Sequence, residues 1–471
     1  MICLAACSLF FYGYWDWRAL PIIGTSIAFN FTVARLIADS KRRRKRLALM
    51  WLGVAGNIGA LAYFKYANFF LGNLGGLLGI HQSTMAIALP LAISFYSFQQ
   101  VAFIVDTYNR EMETVPLKEY LLSVVFFPHL IAGPLLHYQD IITQFKNRFA
   151  VSWETFWLGL PVFAVGLAKK TLIADSIASS IAPIFAKSSV ALPDFFSAWG
   201  AALGYTAQLY FDFSGYSDMA IGLGLMFGIV LPLNFFSPYK ATSIIEFWRR
   251  WHITLSGFLR DYLYIPMGGG RSGPVRRYAN LMTVMLLGGL WHGAAWTFVA
   301  WGAFHGALLA ANHLWRDNVS SRLPLVDTLL RPVYAPMTFF MVVVAWVFFR
   351  APDFVTAWNV VQAMFGGSVV SLPGEVAYLL GVDRLAGIAW GQTLPFTDFS
   401  VLWLMLVIAF AIIWCAPNTA EIFALDGKGA PLTERSLHLS FRTAIVSGVL
   451  LWLSCFGIFG SAPSEFLYFQ F

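Results

Sequence analysis

Residues 286–305 read LLGGLWHGAAWTFVAWGAFH, and this stretch limits the class of fold that the chain can adopt. It is apolar enough for a membrane interior, yet it carries two histidines, His292 and His305. A titratable side chain in hydrocarbon is costly, so it usually marks a pathway, a counter-ion or a reaction centre. The stretch therefore predicts a membrane protein whose function depends on an intramembrane histidine.

The composition of the whole chain supports a membrane location. Hydrophobic residues make up 58% of its 471 residues and charged residues only 12%, whereas soluble proteins carry about a quarter charged residues. Apolar runs repeat near the roughly 20 residues that cross a bilayer. We therefore predict an all-α, polytopic membrane helical bundle formed by a single integral-membrane domain over residues 1–471.

Apolar runs between charged or turn-rich breaks predict about ten to twelve membrane segments. The clearer ones are residues 19–38, 47–71, 85–108, 156–178, 195–213, 216–231, 279–290, 294–315, 333–349, 401–416 and 443–460. Gly215 is expected to break the helix between two of these segments. Pro128, Gly133 and Pro134 interrupt residues 117–136, which predicts a broken or re-entrant element.

The basic residues predict how the bundle is oriented. The net charge is +7, and the clearest basic block, KRRRKR at residues 41–46, lies between two apolar segments. Such a block is typical of a cytoplasmic loop rather than of a nucleic-acid site, although recognition of lipid headgroups or of a partner is an alternative. The same orientation places Arg316, Arg322 and Arg331 inside. Lipid is an expected partner and nucleic acid is not.

His292 lies in the sequence Leu290-Trp291-His292-Gly293. The apolar segment before it, about 13 residues from the last arginine, rises roughly 20 Å, which is less than the hydrocarbon thickness. His292 is therefore expected at a turn within the membrane. A neutral imidazole there can take a proton from an attacking hydroxyl, or it can simply bond across helices.

A second histidine, His252, follows two arginines in the sequence RRWH. It could orient His292 or hold an acyl donor, or it could pack among aromatic residues at the interface. Arg249, Arg250 and Arg260 could bind the phosphates of a donor, or they could serve only as topology residues. Residues 243–264 repeat apolar side chains at three- and four-residue steps, which predicts one helical stripe.

Several other polar residues fall in apolar sequence and are candidates for supporting or tunnel-lining roles. They are Asp212, Tyr216, Asp218, Asp261, Trp291, His305 and His129. Asp212 and Asp218 favour a buried polar network, with a glycoside-cleaving carboxylate pair as the alternative. His129 and His137 flank a Pro-Gly break and could line an entry route. His81 and His438 lie in predicted loops.

The sequence carries no motif for a metal site or a serine hydrolase. It has no HExxH, no His-x-His, no cluster of cysteines and histidines, and no GxSxG. Its four cysteines, Cys3, Cys7, Cys415 and Cys455, all lie in apolar segments without a CxxC pair. No metal site is expected.

Five motifs together carry a family resemblance. They are SFYSFQQVAFIVDTYN (94–109), FPHLIAGPLLHY (127–138), QLYFDFSGYSDMAIGLGLMFG (208–228), residues 247–266 and GGLWHGAAWTFVAWGAFHG (288–306). In this order they resemble the bacterial membrane-bound O-acyltransferase (MBOAT) family, especially its alginate O-acetyltransferase-like branch. The resemblance implies a motif-bearing catalytic core over residues 88–306 and a tunnel that reaches an intramembrane histidine.

The resemblance also implies roles. His292 matches the catalytic WHG position and His252 matches the second histidine. The family moves an acyl group from a cytoplasmic thioester, acetyl-CoA or similar, which is a substrate and not a bound cofactor. The implied location is the bacterial cytoplasmic membrane. The implied partners are a periplasmic SGNH-type acetyltransferase and a polysaccharide such as an alginate-like exopolymer.

Other functions remain open from the sequence. Within the family, peptidoglycan O-acetylation or the D-alanylation of teichoic acid would use the same core. From other classes, a transporter or channel for an acyl donor, or a scaffold for periplasmic enzymes, would also fit interrupted membrane helices.

Overall fold

We analysed a computed structural model of the chain, which describes residues 1–79, 85–110, 115–136, 138–146, 151–271, 273–382, 388–390, 396–432, 440–460 and 467. Helix dominates these residues, and the chain is an all-α membrane protein. Six helical stretches are long and apolar enough to cross a bilayer: Trp17–Asp39, Arg43–Leu78, Trp153–Lys187, Pro324–Arg350, Asp398–Cys415 and Phe441–Phe459.

The contacts divide the chain into two compact units. The first comprises Met1–Phe163, Met219–Leu233 and Phe423–Ser440, and the second comprises Ala164–Asp218, Asn234–Ile422 and Phe441–Phe471. The early helices are α1 (Ile2–Trp15), α2 (Leu20–Asp39), α3 (Arg43–Leu61), α4 (Ala67–Leu78), α5 (Ile93–Asn109), α6 (Leu117–Val125), α7 (Phe127–Leu130), α8 (Tyr138–Lys146), α9 (Trp153–Ala168), α10 (Asp175–Lys187) and α11 (Phe195–Met226).

The later helices are α12 (Ile244–Arg250), α13 (Ile253–Leu259), α14 (Pro274–His292), α15 (Trp296–Trp315), α16 (Pro324–Arg350), α17 (Phe354–Met364), α18 (Gly374–Leu379), α19 (Phe396–Cys415), α20 (Thr419–Ile422) and α21 (Phe441–Gly460). Two short strands, β1 (Val370–Leu372) and β2 (Ile388–Trp390), pair in parallel with Val370 opposite Ile388. Wider π-helical turns occur at Ala62–Tyr66, Lys169–Ala174, Arg260–Tyr264 and Arg316–Ser320.

The predicted interruption of residues 117–136 is confirmed. Helix α6 ends at Val125, and α7 is a single turn that begins at Phe127. After it, the chain leaves helical geometry before Pro134. Proline cannot donate a backbone hydrogen bond and disfavours helix in the residue before it, which explains the break.

The predicted helix break at Gly215 is wrong. Helix α11 runs through it without interruption for 32 residues. A Cβ atom at Gly215 would lie 2.6 Å from the backbone oxygen of Gly166, so this glycine lets two helices approach closely. Small residues at such crossings are typical of membrane helix packing, and here that role outweighs the weak helix propensity of glycine.

Helix α14 is longer than the apolar segment that predicted it. It begins at Pro274 and has 19 residues, a rise of about 28 Å. The predicted segment began late because hydropathy excludes Arg276 and Arg277, although both lie within the first turns of the helix. A hydropathy limit marks where a helix becomes apolar, not where its hydrogen bonds begin.

Close packing of α14 against α15 positions the end of α14. A Cβ at Gly289 would lie 2.3 Å from the backbone oxygen of Phe298, and one at Gly302 would lie 2.3 Å from that of Met285. The two glycines therefore allow backbone-to-backbone contact from both sides. This packing holds the turn between the two helices, where His292 lies.

Candidate active site

His292 is the last residue of α14, and the chain reverses directly after it. Gly293 has an extended backbone with φ −159°, and α15 begins at Trp296. The reversal agrees with the predicted turn at this histidine. A Cβ at Gly293 would lie 2.1 Å from a ring carbon of Phe298, so the tight turn requires glycine for space.

Aromatic rings surround the imidazole of His292. Its ring centroid lies 4.8 Å from that of Trp291, 5.3 Å from that of Trp301 and 5.1 Å from that of Phe349. The side chain is buried. These rings shield the imidazole from most of the surrounding solvent.

His252 lies beside His292. The two ring centroids are 6.4 Å apart, and both residues belong to the second unit. His252 is fully buried, and its ring packs edge-on against Phe213 of α11 at 4.7 Å. The structure thus brings together the two histidines that the sequence separates by 40 positions.

The backbone at His252 contradicts the single helical stripe predicted for residues 243–264. Helix α12 ends at Arg250, Trp251 is extended, and His252 adopts a left-handed conformation with φ 43° and ψ 54°. Such a conformation in a non-glycine residue costs on the order of 1–3 kcal/mol and is frequent at functional sites. The buried packing of Phe247 and Trp251, which stack at 5.7 Å, preserves the apolar face across the break.

Asn234 is a polar residue near the site that was not predicted from the sequence. It is buried in the loop after α11, and its Oδ1 lies 3.3 Å from Nδ1 of His252. Its position within the apolar run LPLNFF is the sequence feature that could have indicated a structural role, because a buried amide requires hydrogen-bond partners.

His305 lies one aromatic ring away from His292. Trp301 contacts both histidines, with centroids 4.8 Å from His305 and 5.3 Å from His292. His305 is fully buried, and among the described residues neither of its ring nitrogens has a hydrogen-bond partner. The supporting or tunnel-lining role given to His305 stays a prediction.

The two carboxylates of α11 are held in ion pairs. Asp212 lies 2.5 Å from Nζ of Lys170 and accepts the backbone N–H of Leu467 at 3.1 Å. Asp218 lies 2.6 Å from Nζ of Lys169 and accepts from the hydroxyl of Thr419 at 2.6 Å. The two carboxylates pair with different lysines, and Lys170 also pairs with Asp175 at 2.8 Å. These pairs favour a polar network over a carboxylate pair that cleaves glycosides. Tyr216, on the same helix, is half-buried.

The three arginines proposed for donor binding have different surroundings. Arg250 pairs with Glu246 at 2.6 Å, and Arg260 pairs with Asp261 at 2.7 Å. Arg249 instead lines a cavity of about 580 Å³ formed by α12, α15 and α16. Arg316, which the sequence analysis treated only as a topology residue, lines the same cavity. The other lining residues include apolar side chains such as Leu308, Val333 and Met337, several polar side chains and the carboxylate of Glu246, which pairs with Arg250.

His129 belongs to the first unit. It is buried in α7, and its Nδ1 lies 3.2 Å from Nε2 of Gln99, which is a structural bond within that unit. His81, His137 and His438 lie outside the described residues. Within the described part of the chain, no three or more His, Cys, Asp or Glu side chains gather as a metal site.

The fold and site define a multi-pass helical membrane protein with two adjacent buried imidazoles at a helix turn. Residues 47–349 match the model of the membrane-bound O-acyltransferase family. The chain therefore belongs to this family, and it is an O-acyltransferase.

Individual relatives are named for different polymers. The chain is 37% identical to a peptidoglycan O-acetyltransferase of Helicobacter pylori, over 99% of this chain and 91% of the relative. It is 43% identical to a probable alginate O-acetylase of Pseudomonas aeruginosa, over 77% of this chain and 69% of the relative. A teichoic acid D-alanyltransferase of Bacillus subtilis is 27% identical over 46% of this chain and 58% of its own length.

Proposed function

We propose that this protein transfers acetyl groups from a cytoplasmic thioester across the bacterial cytoplasmic membrane, for O-acetylation of a cell-surface polysaccharide. The relatives named for peptidoglycan and alginate both support a polysaccharide acceptor. They differ in the polymer, so the proposal is for the class of acceptor, with an alginate-like exopolysaccharide or peptidoglycan as its members. D-alanyl transfer is disfavoured because that relative is less similar.

The observation that carries the proposal is the buried pair of imidazoles at the turn after α14. His292 acts as the general base that takes the proton of an acceptor hydroxyl while the oxygen attacks the thioester carbonyl. As the new C–O bond forms, the C–S bond breaks, and the departing thiolate takes the proton from His292 and leaves as the free thiol. His252, 6.4 Å away, supports this step. A positioned base typically contributes about 10²–10⁴-fold to a rate.

The donor, acetyl-CoA or a similar acyl thioester, binds as a substrate at the arginine-lined cavity. Arg249 and Arg316 would contact its phosphates, and the apolar lining would accept the pantetheine chain. Arg250 and Arg260 are already paired with carboxylates and contribute less. The cavity lies at the arginine-rich end of α16, which is the predicted cytoplasmic end.

The acceptor side involves a partner protein. A periplasmic SGNH-type acetyltransferase receives the acetyl group on a hydroxyl and passes it to the polymer. This relay would explain how one membrane core serves relatives that are named for different polymers.

The test uses proteoliposomes with acetyl-CoA inside and an acceptor hydroxyl outside. His292→Ala should abolish acetyl transfer while the protein stays inserted in the membrane. The control is Lys118→Ala, since the side chain of Lys118 is 56% exposed. Normal transfer by His292→Ala would contradict the proposal. Passage of intact acetyl-CoA without thioester cleavage would instead identify a transporter.

A further inference from the structure

Asn234 accepts hydrogen bonds from the two residues that follow the strained backbone of His252. Its backbone oxygen accepts the N–H of Ile253 at 3.0 Å. Its side-chain Oδ1 accepts the N–H of Thr254 at 3.3 Å and the hydroxyl of Thr254 at 2.6 Å. Its Nδ2 lies 3.5 Å from the hydroxyl oxygen of Ser217 on α11. The side chain is buried, so its orientation is fixed by these partners and not by solvent.

These contacts identify which atom of the amide faces His252. The backbone N–H of Thr254 can only donate, so the atom that receives it must be the amide oxygen. The same atom lies 3.3 Å from Nδ1 of His252. An oxygen without a hydrogen can only accept, and Nδ1 must therefore carry the proton.

We infer that Asn234 is a positioning residue that holds His252 as the Nδ1–H tautomer. The lone pair of the imidazole is then on Nε2, where it can accept a hydrogen bond or a proton from the reacting groups. A histidine tautomer is set in general by the partner of its other ring nitrogen. The inference rests on the proposed function, because it specifies how His252 supports His292.

The first test measures the tautomer directly and does not depend on activity. The protein is labelled with 15N-histidine and reconstituted in bilayers, and solid-state NMR distinguishes protonated from unprotonated ring nitrogens. The signals of His252 are those that disappear in His252→Gln. We expect a protonated Nδ1 and an unprotonated Nε2. The reverse assignment would overturn the inference.

Substitutions at Asn234 then separate positioning from folding. Asn234→Leu removes the acceptor and should abolish the preference for Nδ1–H, lowering kcat at least about tenfold with KM for acetyl-CoA nearly unchanged. Asn234→Asp retains an oxygen acceptor and should keep the Nδ1–H signal. An unchanged tautomer in Asn234→Leu would reject the role.

Two control variants test whether a loss of local structure alone would explain the effect of Asn234→Leu. Thr254→Val removes the hydroxyl that shares Oδ1 but leaves the bond to His252, so the tautomer and kcat should stay close to those of the parent protein. Asn30→Leu removes a buried asparagine that pairs with Asn57 in the first unit, and it should leave the His252 signals unchanged. If Thr254→Val shifted the tautomer as Asn234→Leu does, a loosened turn would be responsible and the inference would fail.

The outcomes also separate this inference from the proposed function. Retained transfer in His292→Ala would contradict the proposed function whatever the NMR shows. Lost transfer in His292→Ala together with a protonated Nε2 on His252 would overturn only the role of Asn234.

Discussion

Arg249 and Arg316 reach one cavity from different parts of the chain. Arg249 lies near the end of α12, and Arg316 directly follows α15. Both line the same space of about 580 Å³. Arginine binds phosphate through several N–H groups in fixed geometry, so two guanidinium groups at an apolar cavity suit a ligand with a phosphorylated end and an uncharged chain.

We predict that Arg249→Gln combined with Arg316→Gln raises KM for acetyl-CoA by at least about a hundredfold, because each of the two charge-assisted bonds contributes about 1.5–3 kcal/mol and about 1.4 kcal/mol corresponds to a factor of ten. The value of kcat should change little, since neither side chain would contact the reacting carbonyl. Initial rates against acetyl-CoA concentration measure both constants. Arg331→Gln is the matched control, because Arg331 is 70% exposed and does not line the cavity. An equal effect of Arg331→Gln would indicate a general loss of surface charge instead.

At the scale of elements, the π-helical turn Lys169–Ala174 aligns two lysines with two carboxylates of α11. Lys170 is 14% exposed and Asp212 only 1% exposed. Burial of an unpaired charge is expensive, whereas removal of both members of a pair costs much less. These pairs therefore lock the register of the two helices as long as both partners are present.

Lys170→Met is expected to destabilise the detergent-solubilised protein by about 3–5 kcal/mol, since it leaves Asp212 buried without its lysine. The double variant Lys170→Met with Asp212→Leu should recover most of that loss, because the other partner of Lys170, Asp175, is 25% exposed and can be hydrated. Thermal unfolding of all variants measures the difference. Arg260→Ala is the control, because its exposed pair with Asp261 should contribute only about 0–1 kcal/mol. A double variant less stable than the single one would refute this account.

Two neighbouring glycines of α14, Gly288 and Gly289, differ in how closely other residues approach them. A Cβ at Gly289 would meet the backbone oxygen of Phe298 at 2.3 Å, whereas one at Gly288 would make an ordinary contact with Leu259 at 3.4 Å. We predict that Gly289→Ala lowers both the unfolding temperature and acetyl transfer, because the backbone must move near His292. Gly288→Ala should be tolerated, and alanine is the better helix former by about 1 kcal/mol. Equal effects of the two substitutions would show that backbone approach at Gly289 is unimportant.

At the scale of the whole molecule, the basic residues predict which ends of the helices face the cytoplasm. Arg322 precedes α16, and Pro352 follows it. Both positions are exposed. Helix α16 is apolar and long enough to cross the bilayer, so the two positions should lie on opposite sides of the membrane.

Cysteine labelling can measure this orientation. After replacement of Cys3, Cys7, Cys415 and Cys455 by serine, Pro352→Cys should react with an impermeant maleimide added outside spheroplasts. Arg322→Cys should react only after the membrane is permeabilised. Reaction of both positions from the same side would contradict the predicted orientation.

The composition was sufficient to predict the fold class. The motifs singled out His252 and His292 as candidate catalytic residues, a role that stays a prediction. Periodicity could not predict that α11 continues through Gly215, because the same glycine either breaks a helix or lets another helix approach. The close approach of the Gly166 backbone decides between these two roles, and Gly166 is distant in sequence. The break at His252 was missed for a similar reason, since apolar spacing continues across it.

Several contacts around the two histidines could not be predicted from the sequence. Trp291 adjoins His292 in sequence and was predicted, but Phe349 contacts the same ring from α16. Asn234, Lys169 and Lys170 acquire their roles only from partners on other elements. No local pattern encodes these contacts.

The sequence by itself determined that this chain is a helical membrane protein and, through its resemblance to the MBOAT family, predicted an O-acyltransferase, because hydropathy and short motifs are local properties that survive in any arrangement of the helices. Only the tertiary structure decided that His252 and His292 are neighbours, that Asn234 faces the first of them, and that Arg249 and Arg316 share a cavity. These facts depend on how distant helices pack, and packing depends on the shapes of surfaces that meet only once the chain has folded.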